Sequence, residues 1–200
     1  DRARAGRPRC ARLSPAMPST EHPAVGMAPE PARVCPEGPV AILGLGNPLL
    51  TDDAVGLAVA DACERLLAAR PLPGVDVLRS TRGGFELIDL LRGYGRAVIL
   101  DCLDVPAPRP GRVHRLGLGQ VRGSARLVGA HDLSLGDVFA LAAQLAIPMP
   151  AEVEIFAVEA ADPRTLGQTL TPAVAAAVEP LARTIHAELR QALARGEGSC

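Results

Sequence analysis

The chain has 200 residues, of which 48% are hydrophobic, 22% charged and 2% aromatic, and its formal net charge is -1. The apolar fraction is sufficient for a packed core, and the near-neutral charge gives no electrostatic reason to expect a nucleic-acid or acidic-membrane partner. No apolar run has the length of a membrane span. All 21 basic residues are Arg, which excludes Schiff-base lysine chemistry and a Walker-type phosphate lysine.

The cysteine pattern favours reduced thiols. The five cysteines include no C-x-x-C pair, which disfavours a structural zinc knuckle; they are Cys10, Cys35, Cys63, Cys102 and Cys200. An odd count in a chain of this length predicts a cytoplasmic location. Cys102 follows Asp101 in an apolar segment, and the neighbouring charge disfavours a thiolate, so we expect a poor nucleophile there.

Composition divides the chain into three parts. Residues 1–38 carry seven prolines and no periodic apolar pattern, which predicts a disordered N-terminal arm. Residues 39–195 form a single predicted α/β domain, and residues 196–200 a flexible tail. We expect the arm to be an upstream extension, with Met17 or Met27 as the biological start.

From Val40 onward, short apolar runs alternate with amphipathic segments. Predicted strands cover 40–43, 75–78, 97–100, 112–116 at an edge, and 153–158. Predicted helices cover about 52–69, 85–91 and 133–145, and a last one that starts at the N-cap Thr171 and is kinked or split at Pro180. This order predicts an α/β three-layer sandwich with a twisted, mostly parallel sheet of about five strands and helices on both faces.

Ligands of such sheets bind beyond the carboxyl ends of the strands. The polar residues at these places are Asp52, Asp53, Asp101, His131 and Glu159. Taken singly, most have structural explanations: the acid pair fits a first helical turn, His131 a loop or core histidine, and Glu159 a charge at the end of a strand. Asp101 is different, because a carboxylate that closes an apolar run costs desolvation unless it has a partner.

Taken together, carboxylates and one imidazole from three separate elements form an O/N ligand set suited to Ni²⁺ or Zn²⁺. With one such histidine and no thiolate pair, a transient or substrate-borne metal fits better than a permanent structural one. His114 and His186 are expected on the surface, and His22 lies in the arm.

The stretch from Gly44 to Gly56, GLGNPLLTDDAVG, resembles the opening motif of the NiFe-hydrogenase maturation endopeptidases, G-x-G-N-x-L-x-x-D-(D/E)-x-x-G. The likeness continues, in order, through 99–101, 131–138, 170–172 and 179–181. It therefore spans residues 40 to about 190.

The resemblance implies a twisted sheet flanked by helices and an endopeptidase that acts on the nickel-loaded precursor of a hydrogenase large subunit. The enzyme would remove a C-terminal extension, cutting after a basic residue beyond the last metal-binding Cys motif. Asp53, Asp101 and His131 would be the metal-binding and catalytic residues. Nickel would come with the substrate, so we expect no permanently bound cofactor. We also expect a monomer without nucleic-acid or membrane partners.

The attacking group stays open at this point. The metal could polarise the carbonyl or acidify a water, or a carboxylate could act as general base. No Ser-His-Asp or Cys-His arrangement is evident, so serine- and cysteine-directed inhibitors should fail. Family members often carry a D-G-G-T-like segment after the second strand, whereas 80–85 reads STRGGF without the acid. Which hydrogenase is processed therefore also stays open.

Three alternatives remain. Gly-Leu-Gly-Asn-Pro also opens peptidyl-tRNA hydrolases, but acids replace the basic and imidazole groups that follow in that family. A dinucleotide-binding module would need a third glycine where Leu49 stands, and acids would face its pyrophosphate. A non-catalytic, nickel-dependent maturation chaperone of the same fold would bind the loaded precursor without shortening it.

Overall fold

The structure, a computed structural model, describes residues 38–121 and 135–196. Residues 1–37 of the predicted arm lie outside this range. So do residues 197–200 of the predicted tail. His131 and Asp132 also lie outside it.

Five strands and five helices are described. The strands are β1 (Val40–Leu45), β2 (Val75–Ser80), β3 (Arg96–Leu103), β4 (Val113–Gly117) and β5 (Glu152–Glu159). The helices are α1 (Val55–Ala69), α2 (Glu86–Leu91), α3 (Leu118–Val121), α4 (Leu135–Gln144) and α5 (Pro172–Gly196).

The strands form one sheet in the order β2-β1-β3-β5-β4. Neighbouring strands are parallel except at the edge, where β4 runs antiparallel to β5. The central strands β1 and β3 are almost wholly buried, because their near-continuous apolar sequences suit a sheet covered on both faces. The predicted α/β class with a mostly parallel five-stranded sheet is confirmed.

Each face of the sheet has its own core. Helices α1 and α5 pack on one face, against Ile42, Val98 and Leu100. Helices α2 and α4 pack on the other, against Leu43, Ile99 and Ile155. Within the described ranges, no helix is both long enough and apolar enough to cross a membrane.

The element boundaries differ from the sequence predictions in three places. Helix α1 begins at Val55 rather than near residue 52, because the chain at Asp52 bonds to a distant loop instead of entering the helix. Strand β3 continues to Leu103, so Asp101 lies inside it. Helix α5 runs through Pro180 without a split, so of the two predicted outcomes, a kink or a split, the split is excluded.

Candidate active site

The loop between β1 and α1 is shaped by two glycines. Gly46 has φ +147°, and a Cβ there would collide with the carbonyl oxygen of Asp53. A Cβ on Gly56 would collide with the carbonyl oxygens of Leu45 and Leu100. The start of α1 is therefore pressed against β1 and β3, which is possible only without side chains at these positions. This close approach brings the loop and its acids to the carboxyl end of the sheet.

Asp53 is half-buried in this loop. Its Oδ2 accepts a hydrogen bond of 2.8 Å from the backbone N–H of Asn47. Burial raises the pKa of Asp53 above its ordinary value, and the bond from Asn47 opposes that rise. The bond from Asn47 uses Oδ2. The other carboxylate oxygen, Oδ1, has no hydrogen-bond donor among residues 38–121 and 135–196.

Asp101 lies in β3 between Ile99 and Leu103, on the sheet face that α2 and α4 cover. Its Oδ1 accepts a 2.7 Å bond from the N–H of Cys102. Burial raises the pKa of Asp101 to about 7; the bond from Cys102 lowers it, and the negative charge of Asp53 raises it further. The two carboxylates are thus electrostatic neighbours. A cation between them would relieve their unfavourable charge.

Asp52, beside them in sequence, has a different role. Its carboxylate is fully buried and accepts four hydrogen bonds of 2.7–2.9 Å from a segment more than 100 residues away. The donors are the backbone N–H groups of Ala161, Asp162 and Thr171 and the Thr171 hydroxyl. The carboxylate is therefore satisfied by protein donors, and Asp52 ties the β1–α1 loop to the segment between β5 and α5.

The third predicted site residue, His131, lies in the part of the chain that the structure does not describe. It precedes by four residues the buried Leu135, which belongs to the same apolar cluster as Leu103. Within the described segments, no three Asp, Glu, His or Cys side chains form a metal-binding group.

Sequence reasoning missed a pair of polar residues at the same end of the sheet, where the carboxyl end of β5 meets β4. Glu159, expected to be only a charge at a strand end, does end β5, but it is 5% exposed and its Oε1 lies 2.6 Å from Nε2 of His114. The long-range pairing of β4 with β5 brings these residues together, and nothing local in the sequence signals it. His186 is also not on the surface: it is buried, and its Nε2 bonds to the carbonyl of Arg70 at 2.9 Å.

The thiols of the described chain are unsuited to nucleophilic attack. Cys63 and Cys102 are free and buried. Burial raises the pKa of Cys63 to about 12, with a smaller contribution from the charge of Glu179. Burial also raises the pKa of Cys102 well above its ordinary value. The negative charge of Asp101, followed by those of other nearby carboxylates, adds to this rise. A thiolate is thus disfavoured at both positions at neutral pH.

Known proteins share both this sequence pattern and this fold. The family model of the HycI hydrogenase maturation proteases matches residues 58–188. The hydrogenase 2 maturation protease of Escherichia coli K12 is 30% identical over 156 residues, which cover 76% of this chain and 91% of that protein.

Two solved structures are similar over most of their length. The hydrogenase maturating endopeptidase HybD from E. coli superposes with a TM-score of 0.65 at 25% identity, covering 77% of this chain and 93% of HybD. HybD of Thermococcus kodakarensis, a NiFe-hydrogenase maturation protease, gives a TM-score of 0.56 at 26% identity and covers 76% of this chain and 99% of its own. On the family match and the E. coli relative, the chain belongs to the hydrogenase maturation protease family and is an endopeptidase.

Proposed function

We propose that this endopeptidase removes the C-terminal extension of a nickel-loaded hydrogenase large-subunit precursor, and that the nickel in the substrate is what it recognises. Asp53 and Asp101, together with the predicted ligand His131, would complete the coordination of that nickel. The observation that carries the proposal is the pair of neighbouring carboxylates at the sheet edge, each with one oxygen held by a backbone N–H and one without a described donor.

The electrostatics of this pair favour a cation that arrives from outside. Burial makes the charged forms of Asp53 and Asp101 unfavourable in the free enzyme, and the charge of Asp53 adds to this effect at Asp101. A divalent ion would reverse this by stabilising both carboxylates in their ionised form, with release of any bound proton. A precursor without nickel would leave them uncompensated, so metal loading would decide which substrate is held.

Two of the earlier alternatives lose their support. A peptidyl-tRNA hydrolase and a dinucleotide-binding module are disfavoured because the family model of hydrogenase maturation proteases matches residues 58–188. The chaperone alternative differs from the protease only in its product, so the length of the precursor after incubation separates them. A cytoplasmic location and a monomeric state stay predictions.

The test is processing of a nickel-loaded precursor, with mass spectrometry of the released peptide. We expect cleavage by the wild type, none when nickel is removed from the precursor by a chelator beforehand, and rates lowered by at least about 100-fold in Asp53→Asn, Asp101→Asn and His131→Ala.

Asp104→Asn is the matched control for these acid variants. Asp104 lies at the same sheet edge but is solvent-exposed and forms a 2.7 Å ion pair with Arg164, so its loss should leave the rate nearly unchanged. Equal cleavage of nickel-loaded and nickel-free precursor would contradict the proposal. So would near-normal rates in all three site variants.

A further inference from the structure

Glu159 and His114 form a carboxylate–imidazole pair that the proposed nickel site does not use. Glu159 ends β5 and is almost wholly buried, whereas the His114 side chain keeps 29% of its surface exposed. A carboxylate only accepts hydrogen bonds, so Nε2 of His114 carries the hydrogen of the 2.6 Å bond between them. In the neutral ring this leaves Nδ1 with a free lone pair, and no described residue bonds to it.

Glu159 is held in its charged form by a second donor. The backbone N–H of Arg109 donates to its Oε2 at 2.5 Å, and the guanidinium of Arg112 lies 4.0 Å from Oε1. The Arg109 bond, followed by the His114 ring, lowers the pKa of Glu159 below its ordinary value. An ionised, immobilised carboxylate fixes the orientation of the imidazole.

The sheet register places this pair beside the proposed nickel site. Asp101 on β3 is paired with Ala157 on β5, and Ala157 is paired with His114 on β4. Paired residues on neighbouring strands point to the same face, so Asp101 and His114 share a face with only a methyl side chain between them. Two strand spacings separate their Cα atoms by about 10 Å, which is the length of about three extended residues.

We infer that His114, oriented by Glu159, is the general base and acid of peptide-bond hydrolysis, an inference that rests on the proposed function. Nδ1 takes a proton from a water whose oxygen attacks the scissile carbonyl carbon. When the tetrahedral intermediate collapses, the C–N bond breaks and the imidazolium returns that proton to the leaving amine. One water is consumed, and a carboxyl group and an amine are formed.

The imidazole of His114 has charged neighbours on the elements packed around it. Glu159 contacts it from β5, Arg112 precedes β4, and Asp101 lies in the same row of the sheet. A pH profile alone would therefore mix several ionisations. Substitution combined with chemical rescue isolates the imidazole.

The experiment measures single-turnover cleavage of the nickel-loaded precursor and, separately, its binding. His114→Gln keeps an N–H donor toward Glu159 but has no base, and we expect at least about a 100-fold lower cleavage rate with binding within about threefold of wild type. His114→Ala should be equally impaired and should regain activity on addition of free imidazole. Glu159→Gln should lower the rate by about tenfold, because the ring loses its charged partner. His186→Gln, at a histidine of α5 on the other face, is the matched control and should cleave normally.

The outcomes separate this inference from the function on which it rests. A wild-type chain that leaves the precursor intact overturns the proposed function and the inference with it. Cleavage by the wild type and equally fast cleavage by His114→Gln overturns the inference alone. If His114→Ala is impaired but imidazole does not restore it, while His114→Gln is active, the pair is only structural and the inference also fails.

Discussion

Asp101 is a carboxylate held where its negative charge is unfavourable. Burial in β3 and the nearby charge of Asp53 raise its pKa to about 7, and the single backbone bond from Cys102 does not compensate. In the unfolded chain the same group has an ordinary pKa near 3.8. Keeping Asp101 ionised at neutral pH therefore lowers the free energy of unfolding. A bound cation would remove this destabilisation by stabilising the ionised carboxylate. Such a cost is typical of a residue that serves binding rather than stability.

The first prediction concerns Asp101→Asn. Since the folded pKa of Asp101 is raised, this group binds more protons in the folded than in the unfolded state between about pH 4 and 7, and its contribution to wild-type stability falls as pH rises through that window. A rise of the Asp101 pKa from 3.8 to about 7 corresponds to at most about 4 kcal/mol of folding free energy. The neutral amide removes this cost, so Asp101→Asn should be the more stable protein at pH 8, with little difference near pH 4. Urea unfolding at both pH values measures it.

Asp104→Asn is the control for that comparison, because Asp104 is exposed and paired with Arg164. Its stability relative to wild type should change little between the two pH values. A wild type more stable than Asp101→Asn at pH 8 would show that Asp101 is compensated in the free protein.

At the scale of elements, local sequence patterns predicted most of the fold. Fully apolar runs such as 97–100 identified the buried strands, and Thr171 followed by Pro172 identified the start of α5. The predicted start of α1 was wrong because Asp52 bonds to Thr171 and its neighbours, a contact that no local pattern reveals. For Pro180 the sequence predicts a kinked or split helix, and the structure excludes the split. Packing of Val178, Leu181 and Ile185 on the sheet holds α5 together across the proline.

Pro180 should therefore reduce the stability of a helix that tertiary packing maintains. Proline in a helix interior costs about 3 kcal/mol, offset by about 1 kcal/mol through its stiffening of the unfolded chain. Because Pro180 is exposed, Pro180→Ala removes little packing. We expect it to raise the free energy of unfolding by about 1–2 kcal/mol in denaturant titrations. Arg183→Ala, exposed on the same helix, should change it by less than about 0.5 kcal/mol. An unchanged or less stable Pro180→Ala would contradict this account of α5.

At the scale of the whole molecule, the site is a product of sheet topology. Parallel neighbours β1 and β3 deliver Asp53 and Asp101 to one edge, and the alternation of strands and helices was enough to predict that meeting. The pairing of His114 with Glu159 depends on β4 joining β5 in the antiparallel sense. The sequence predicted an edge strand there but not its neighbour or direction, so the pair could not be foreseen. Local sequence patterns therefore predict the fold and the positions of Asp53 and Asp101. The contact between His114 and Glu159 can be identified only in the folded sheet.

The central claim is that nickel in the substrate is recognised by Asp53 and Asp101. The most direct measurement is the affinity of the enzyme for the same precursor with and without nickel, compared between the wild type and Asp53→Asn/Asp101→Asn. The account predicts that the wild type binds the nickel-loaded precursor at least about tenfold more tightly, a difference of about 1.4 kcal/mol, and that the double variant loses this preference. Equal affinity of the wild type for both forms, or an undiminished preference in the double variant, would contradict it.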